Sequence, residues 1–385
     1  MSTVFLPRAM RIGAGVLTEL PEALAQLGLK APAVITDSFM ARCGAVDRAV
    51  AMLSGSGIEV RTYSQAIPDP TVASVEAACA FVSEGRHDCV IGFGGGSSID
   101  TAKAVAVLAA RPGSIRTLKS PHQENQPGLP IVAIPTTAGT GSEATRFTII
   151  TDQDSGEKML CAGLAYLPVL AIVDFELTMT APPRLTADTG IDALTHAIEA
   201  YVSRLSNPFS DAMALAAMRA IWPNLRRVWD IPSDRAAREA MMVGSLQAGI
   251  AFSNASVALV HGMSRPIGAH FHVAHGLSNA MLLPAVTAWS ISAAERRYAA
   301  CARAMGLSPA GESDPAAADR LVAALRELNR DLQVPTPRSY GIDEARWAAL
   351  LPLMAEQALK SGSPANNPRV PDVEGIQALY REAWG

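Results

Sequence analysis

Four side chains with the chemistry of metal ligands lie in two segments of the chain. Asp192 and His196 are four residues apart in a stretch of helical character, so both would lie on one face of a helix. His261 and His275 belong to the segment 261–276, which contains four of the seven histidines. A carboxylate and neutral imidazoles suit Fe(II) or Zn(II). Alternatively, Asp192 and His196 could simply pair with each other along the helix, and the other histidines could be buried core residues without a ligand role.

A run of three glycines, Gly94–Gly96, joins a predicted strand to a predicted helix. Without side chains the backbone can approach a bulky anion, and the N-terminal dipole of the helix favours negative charge there. The loop matches neither GxGxxG nor the Walker pattern. Both a pyrophosphate site and a glycine-rich turn capped by Ser97 or Ser98, with Asp100 in the first helical turn, are compatible with it.

Two more predicted strands end in polar groups. Asp37 follows the strand 31–36, where a carboxylate can accept hydrogen bonds from ribose hydroxyls and repel a 2′-phosphate, or can cap the next helix. Residues 135–145 are small and hydroxylated, so they can surround a nicotinamide ribose or bond to one another. Because Asp37 precedes the glycine loop, the order differs from the usual Rossmann fingerprint.

The elements that must position these groups change character near residue 182. Before it, helical stretches alternate with predicted strands at 31–37, 57–63, 87–93, 129–135 and 169–174. This alternation predicts βαβ units and a mostly parallel sheet. Beyond Ala181-Pro-Pro-Arg184 the sequence is rich in Ala and Leu at helical spacing. We expect an α/β nucleotide-binding domain over 1–182 and an all-α metal-binding domain over 183–385.

Composition excludes several classes of partner. The formal charge of -4 on 385 residues gives no basic surface for nucleic acid. Five scattered cysteines without a CxxC pair indicate free thiols in a reducing compartment. The first residues lack a secretory signal, and no apolar run approaches the ~18 residues of a membrane span. We expect a cytoplasmic protein without membrane or nucleic-acid partners.

Four motifs, in order along nearly the whole chain, resemble the iron-containing (group III) alcohol dehydrogenase family. They are GGGSxxDxAK at 94–103, PTTAGTGSE at 135–143, GxDALTHAIEAYVS at 190–203 and HGMxxPxGAxxxxxHGxxNAxLLP at 261–284. The resemblance implies the dehydroquinate synthase-like architecture: an α/β nucleotide domain, a helical metal domain, and catalysis in the cleft between them. It also implies a homodimer or a higher homo-oligomer.

By this resemblance, Asp192, His196, His261 and His275 ligate Fe(II), with Zn(II) as the alternative ion. Asp37 implies NAD and not NADP, because members that use NADP often have a small residue there. Asp69 stands where close relatives often carry Asn. The full set of cofactor-binding residues that the resemblance implies is Asp37, Asp69, Gly94, Gly95, Gly96, Ser97, Ser98, Asp100, Thr136, Thr137, Thr140, Phe147 and Lys158.

One residue departs from the family pattern. Relatives commonly read HGMAHPLGA, whereas this chain reads HGMSRPIGA, so Arg265 replaces a histidine that is often assigned a proton-relay or substrate-side role. His270 or His272 could supply the missing proton function beside His261 and His275. Arg265 could pair with an anionic group of the substrate or form a structural salt bridge.

The expected reaction is hydride transfer between a nicotinamide cofactor and a small primary or secondary alcohol, or its aldehyde, with the metal as Lewis acid. Arg265 keeps a second hypothesis open, a reductase or transhydrogenase for an anionic hydroxy or oxo acid. Two less favoured hypotheses are a lyase of the dehydroquinate synthase type and a non-catalytic nucleotide-binding scaffold. The string at 190–203 fits dehydrogenases better than lyases, and the retention of all four ligand residues disfavours the scaffold.

Overall fold

The structure, a computed structural model, describes residues 2–385 and divides into two compact units. The N-terminal unit comprises Phe5–Thr180. The helical unit comprises Ala181–Gly385 together with residues 2–4.

The N-terminal unit is built on a six-stranded parallel sheet and an antiparallel hairpin of two strands. The strands are β1 (Ala9–Ile12), β2 (Pro32–Asp37), β3 (Arg61–Ala66), β4 (Cys89–Gly94), β5 (Ile131–Pro135), β6 (Phe147–Asp152), β7 (Glu157–Ala162) and β8 (Leu170–Val173). In the sheet their order is β1-β8-β5-β4-β2-β3, and the hairpin pairs β6 with β7. The helices are α1 (Leu20–Gln26), α2 (Ser38–Arg42), α3 (Ala45–Gly55), α4 (Val72–Ser83) and α5 (Gly96–Ala110).

Both faces of the sheet are buried, which explains why the central strands have nearly continuous apolar sequences. Alternate side chains of β4 enter different apolar clusters. Val90 packs in one cluster, whereas Ile91 and Phe93 pack in the other. The predicted α/β class follows from this burial, because a strand with two apolar faces needs helices on both sides.

The strands that carry the candidate cofactor residues are neighbours and end at one edge. In the register of the sheet, Gly94 of β4 lies opposite Pro135 of β5. On the other side of β4, Ile35 of β2 pairs with Gly92, so Asp37 ends its strand beside the glycine loop. Parallel strands bring their carboxyl ends together, and ligands of α/β proteins bind at that edge.

The predicted strands all occur, but their bounds differ and three strands were missed. The segment predicted as 57–63 is instead a strand at Arg61–Ala66, because Gly57 adopts a left-handed φ of 76° and Ile58 donates to Leu53, which closes α3. The missed strands are β1, β6 and β7. The first is an edge strand of only four residues, and the other two form a half-buried hairpin.

The helical unit contains no strand among the residues that the structure describes, as the sequence predicted. Its helices are α6 (Pro183–Val202), α7 (Pro208–Asp230), α8 (Arg235–Ala255), α9 (Leu259–Phe271), α10 (His275–Ala304), α11 (Asp314–Asp331), α12 (Pro337–Tyr340), α13 (Glu344–Lys360) and α14 (Val373–Ala383). By length and composition α10 could span a membrane, but 61% of its apolar window is buried, as in the core helix of a globular fold.

A buried charge cluster holds α5 against the segment that leads into β6. The Nζ of Lys103 donates to the carbonyl oxygens of Thr145 (2.9 Å) and Phe147 (2.8 Å). Burial lowers the pKa of Lys103 to about 8, although Asp100 and Glu143 oppose the shift. Burial also raises the pKa of Glu143 to about 7. The cluster is therefore a set of mutually compensating buried charges.

We expect Lys103→Met to destabilise the protein by about 3 kcal/mol, since it leaves two buried carboxyl groups without their countercharge. The shift would be measured as a lower urea midpoint. Lys119→Met is the matched control. It removes a Lys–carboxylate pair (2.8 Å to Glu157) that is about 40% exposed, and should cost less than about 1 kcal/mol. Equal midpoints for the two variants would contradict the structural role of Lys103.

Candidate metal centre and cofactor site

Helix α6 supplies two of the predicted metal ligands. Asp192 and His196 are one turn apart, both are buried, and Nε2 of His196 lies 3.9 Å from Oδ1 of Asp192. The ring of His196 stacks on that of His261, with the ring centroids 4.4 Å apart. The i, i+4 spacing thus places both groups on the buried face of the helix, as predicted.

Helices α9 and α10 supply the other two. Nε2 of His261 is 3.4 Å and Nε2 of His275 is 3.8 Å from Oδ1 of Asp192, and the three ligand atoms lie within 4.8 Å of one another. Ligands of a tetrahedral ion with bonds of about 2.1 Å stand about 3.4 Å apart. Gly276 permits the approach of α10, because a Cβ there would lie 2.4 Å from the carbonyl oxygen of Asp188.

Asn279, which the sequence analysis missed, shows what the convergent atoms can hold. Its Nδ2 donates to Asp192 Oδ1 (2.7 Å) and lies 3.1 Å and 3.3 Å from the Nε2 atoms of His261 and His275. Its Oδ1 is buried without a hydrogen-bond partner. The amide nitrogen stands where one carboxylate oxygen and two imidazole nitrogens converge, and these are atoms that can ligate a divalent cation. Asn279 is four residues after His275 on one helix, a spacing that could have revealed it.

Glu199 is a second residue that the sequence analysis missed, and it orients His261. Its carboxylate accepts from Nδ1 of His261 (2.6 Å), which leaves Nε2 directed at the centre. The same carboxylate accepts from the backbone N–H groups of Ala258 (3.0 Å) and Val260 (2.6 Å) at the uncapped start of α9. Glu199 is seven residues after Asp192, two turns along one helix face, which was the available signal.

The electrostatics of the cluster favour a cation. Burial opposes ionisation of Asp192, but the neighbouring imidazoles hold the pKa of this carboxyl well below its ordinary value. Burial lowers the pKa of His196 to about 3, so this imidazole is neutral and free to ligate. Burial also disfavours charge on His261, yet Glu199 and Asp192 outweigh it and raise its pKa to about 9. A position between two carboxylates stabilises positive charge.

In the N-terminal unit, the glycine loop forms a cradle of backbone groups. Helix α5 begins after Gly95 without a side-chain cap, so its first N–H groups are free to meet an anion. Gly94 has a φ of 150°, and a Cβ there would lie 2.6 Å from Ser98 Oγ. A Cβ on Gly96 would lie 2.8 Å from Cγ2 of Thr140. The loop therefore fits the pyrophosphate of a dinucleotide.

Asp37 forms the helix cap that was one of its two predicted roles, and the ribose role stays a prediction. Its Oδ1 caps α2 by accepting from the N–H groups of Phe39 (2.8 Å) and Met40 (2.9 Å). Its Oδ2 faces the glycine loop and accepts from Ser98 (3.3 Å). One oxygen of the carboxylate is thus directed to the edge where a ribose would bind.

The other predicted cofactor residues divide into two groups. The N–H of Thr136 bonds to Gly94, and Thr137 lies 3.6 Å from where a Cβ of Gly95 would be, so both adjoin the loop as Thr140 does. The residues of the second group contact other parts of the unit, away from the glycine loop. Asp100 accepts from Ser142 and Ile149, and Lys158 bonds to Asp69 (2.7 Å). Phe147, next to this group on β6, lies under the guanidinium of Arg146.

The comparisons with known proteins agree with this geometry. The chain matches the families described as "Iron-containing alcohol dehydrogenase" over residues 7–175 and "Fe-containing alcohol dehydrogenase family, C-terminal" over residues 186–384. It is 39% identical to long-chain-alcohol dehydrogenase 1 of Geobacillus thermodenitrificans (strain NG80-2), with 100% of this chain and 97% of the relative covered. The chain belongs to the iron-containing alcohol dehydrogenase family.

Solved structures of this family have the same fold. The 1,3-propanediol oxidoreductase structure gives a TM-score of 0.95 at 35% identity, with 100% of both chains covered. Sulfoacetaldehyde reductase from Bifidobacterium kashiwanohense, in complex with NAD+, gives 0.89 at 26% identity, with 100% of this chain and 99% of that chain covered. The predicted family, fold class and enzyme class are confirmed.

In this alcohol dehydrogenase, the residues predicted for proton transfer lie on different sides of α9. Arg265 is one turn after His261 and shares its face, whereas His270 is nine residues after His261, half a turn out of phase. His270 Nε2 bonds to Gln357 of α13 (2.8 Å). His272 ends α9 in a left-handed conformation and is exposed. The structure therefore brings His261 and His275 together but not His270.

We expect Glu199→Gln to weaken metal binding about 10- to 100-fold, because the new amide nitrogen cannot accept from His261 or from the start of α9. The dissociation constant would be measured by competition with a chromogenic chelator. Glu239→Gln, an exposed change on α8, is the control and should leave the constant unaltered. An unchanged constant in the Glu199 variant would show that His261 does not need this carboxylate.

Proposed function

We propose that this enzyme interconverts a small primary or secondary alcohol and its aldehyde or ketone, using one divalent metal ion and NAD. The convergence of Asp192, His261 and His275, with His196 3.9 Å from the same carboxylate oxygen, carries the proposal. Membership of an iron-containing family supports Fe(II), with Zn(II) as the alternative, and the NAD+ bound to a relative supports the cofactor. The substrates named for relatives include long-chain alcohols, a propanediol and sulfoacetaldehyde.

When bound, the metal supplies Lewis-acid polarisation of the substrate oxygen, and NAD supplies or accepts the hydride. The chain's own residues prepare the site for this chemistry. Glu199 fixes the tautomer of His261 by accepting from its Nδ1. Phe252 stacks on His196 with the ring centroids 4.2 Å apart and shields that ligand from water.

The cofactor is held by the N-terminal unit in this proposal. The free N–H groups at the start of α5 bind the pyrophosphate, and Thr136, Thr137 and Thr140 stand next to it. The Oδ2 of Asp37 accepts from the adenosine ribose. Homo-oligomerisation and a cytoplasmic location stay predictions from the sequence. The family favours a dehydrogenase over a lyase of the dehydroquinate synthase type or a non-catalytic scaffold.

We expect the His261→Ala variant to bind no metal and to lose the NADH-dependent reduction of aldehydes. Of the three imidazoles, that of His261 lies closest to the Asp192 carboxylate. Metal per chain would be measured after anaerobic loading, and NADH oxidation would be followed in the same samples. His122→Ala, an exposed histidine of the other unit, is the control and should keep about one ion per chain.

Two outcomes of that experiment would count against the proposal. Wild-type protein that takes up neither iron nor zinc would contradict the ligand assignment. Protein that binds metal but reduces no aldehyde or ketone would favour the lyase or the scaffold instead.

We expect Asp37→Ser to raise the ratio of kcat/KM with NADPH to that with NADH by about tenfold or more. The change removes the negative charge that would repel a 2′-phosphate. Serine is also a good N-cap, so α2 should persist. Both cofactors would be compared at one substrate concentration, with Asp47→Ser as the control for loss of a surface charge. An unaltered ratio would show that Asp37 serves only as a cap.

A further inference from the structure

Arg265 carries a charge close to Glu199 of the metal centre, and the proposed function leaves this charge unused. It lies on α9 one turn after His261, on the same helix face and about 6 Å further along the axis. Its side chain is half-buried. Among residues 2–385, no hydrogen bond, ion pair or aromatic ring engages its guanidinium. The structural salt bridge that the sequence left open is therefore not formed.

A guanidinium withdrawn from water is normally paired, because desolvation of an unpaired charge is costly. Burial lowers the pKa of Arg265 to about 10, and the nearby Glu199 opposes the shift. The side chain is therefore charged at neutral pH and cannot relay a proton there as a histidine would.

Neither carboxylate of the ligand cluster pairs with Arg265. One oxygen of Glu199 accepts from His261 and Ala258, and the other accepts from Val260. Asp192 Oδ1 accepts from Asn279. Because no residue among 2–385 pairs with its guanidinium, Arg265 is available to an anionic partner from outside the chain.

We propose that Arg265 binds an oxyanion of the substrate, so that the enzyme acts preferentially on short aldehydes and alcohols that carry a carboxylate, sulfonate or phosphonate. A guanidinium binds such groups through two parallel hydrogen bonds. The rise of about 6 Å between His261 and Arg265, together with the long arginine side chain, suits an anion within about four carbons of the reacting carbon. This inference rests on the proposed function, because it gives the substrate class of the same site.

The test compares two aldehydes of the same chain length, one anionic and one neutral. Glyoxylate and glycolaldehyde are both two-carbon aldehydes, one with a carboxylate and one with a hydroxymethyl group. With iron-loaded enzyme and NADH, wild type should have a kcat/KM for glyoxylate at least about tenfold above that for glycolaldehyde. Arg265→Met should lower the value for glyoxylate about 30-fold or more and leave that for glycolaldehyde within about threefold.

Two further variants separate charge from fold. Arg265→Lys keeps the charge but not the planar fork, so its kcat/KM for glyoxylate should lie between those of wild type and Arg265→Met. Arg346→Met is the matched control. This exposed arginine packs over Phe271 at the end of the same helix, and its loss should leave the preference for glyoxylate intact.

A second readout does not depend on turnover. The binding of 3-hydroxypropionate and of 1,3-propanediol to the enzyme–NADH complex would be followed by NADH fluorescence. Wild type should bind the acid more tightly, and Arg265→Met should lose that difference. The dissociation constant of NADH itself should be the same in both proteins, because a phosphate of the cofactor is the other oxyanion that Arg265 could meet.

The outcomes distinguish this inference from the proposed function. Weaker NADH binding with equal losses on both aldehydes would assign Arg265 to the cofactor and overturn the inference. Reduction of glycolaldehyde without any preference for glyoxylate would overturn it too, while the proposed function stands. If iron-loaded enzyme reduces neither these two nor any other small aldehyde or ketone, the proposed function fails, and equal binding of the acid and the diol would then overturn the anion site as well.

Discussion

Asp192 is a carboxylate almost without contact with water, and its burial is tolerable only because hydrogen-bonding and cationic groups surround it. Its neighbours come from three helices, α6, α9 and α10, so the compensation of this one charge requires all three to meet at a point. The missing side chain of Gly276 allows α10 to come that close. The packing of the helical unit and its chemistry therefore depend on the same contact.

Glu199 links the metal centre to the backbone at the start of α9. The chain bends sharply between α8 and α9, and the start of α9 has no side-chain cap of its own. The carboxylate of Glu199 satisfies two of the N–H groups left open there and also orients a ligand histidine. It forms no ion pair with Arg265, one turn after His261, although its charge opposes the lowering of the pKa of that arginine.

The cofactor site of the N-terminal unit uses other chemical groups than the metal centre does. Its binding edge consists of backbone N–H groups and small hydroxylated side chains, and the absence of Cβ atoms at Gly94 and Gly96 leaves room for them. The strong charges lie behind this edge, where Lys103 joins α5 to the segment before β6. A backbone cradle binds an anion through partial charges, whereas the metal centre needs full negative charge. The N-terminal unit is therefore suited to an anion and the helical unit to a cation.

The sequence alone predicted the fold class, five of the eight strands and the placement of Asp192 and His196 on one helix face, because these depend on apolar periodicity and on spacing within one helix. It also placed Asp37, Gly94 and Thr136 at strand ends, which a parallel sheet must bring to one edge. Tertiary packing was needed to show that His261 and His275 reach Asp192, that Glu199 contacts His261, that Asn279 contacts Asp192, and that His270 bonds to Gln357. These contacts join residues far apart in the chain, and local spacing carries no information about which helices will pack together.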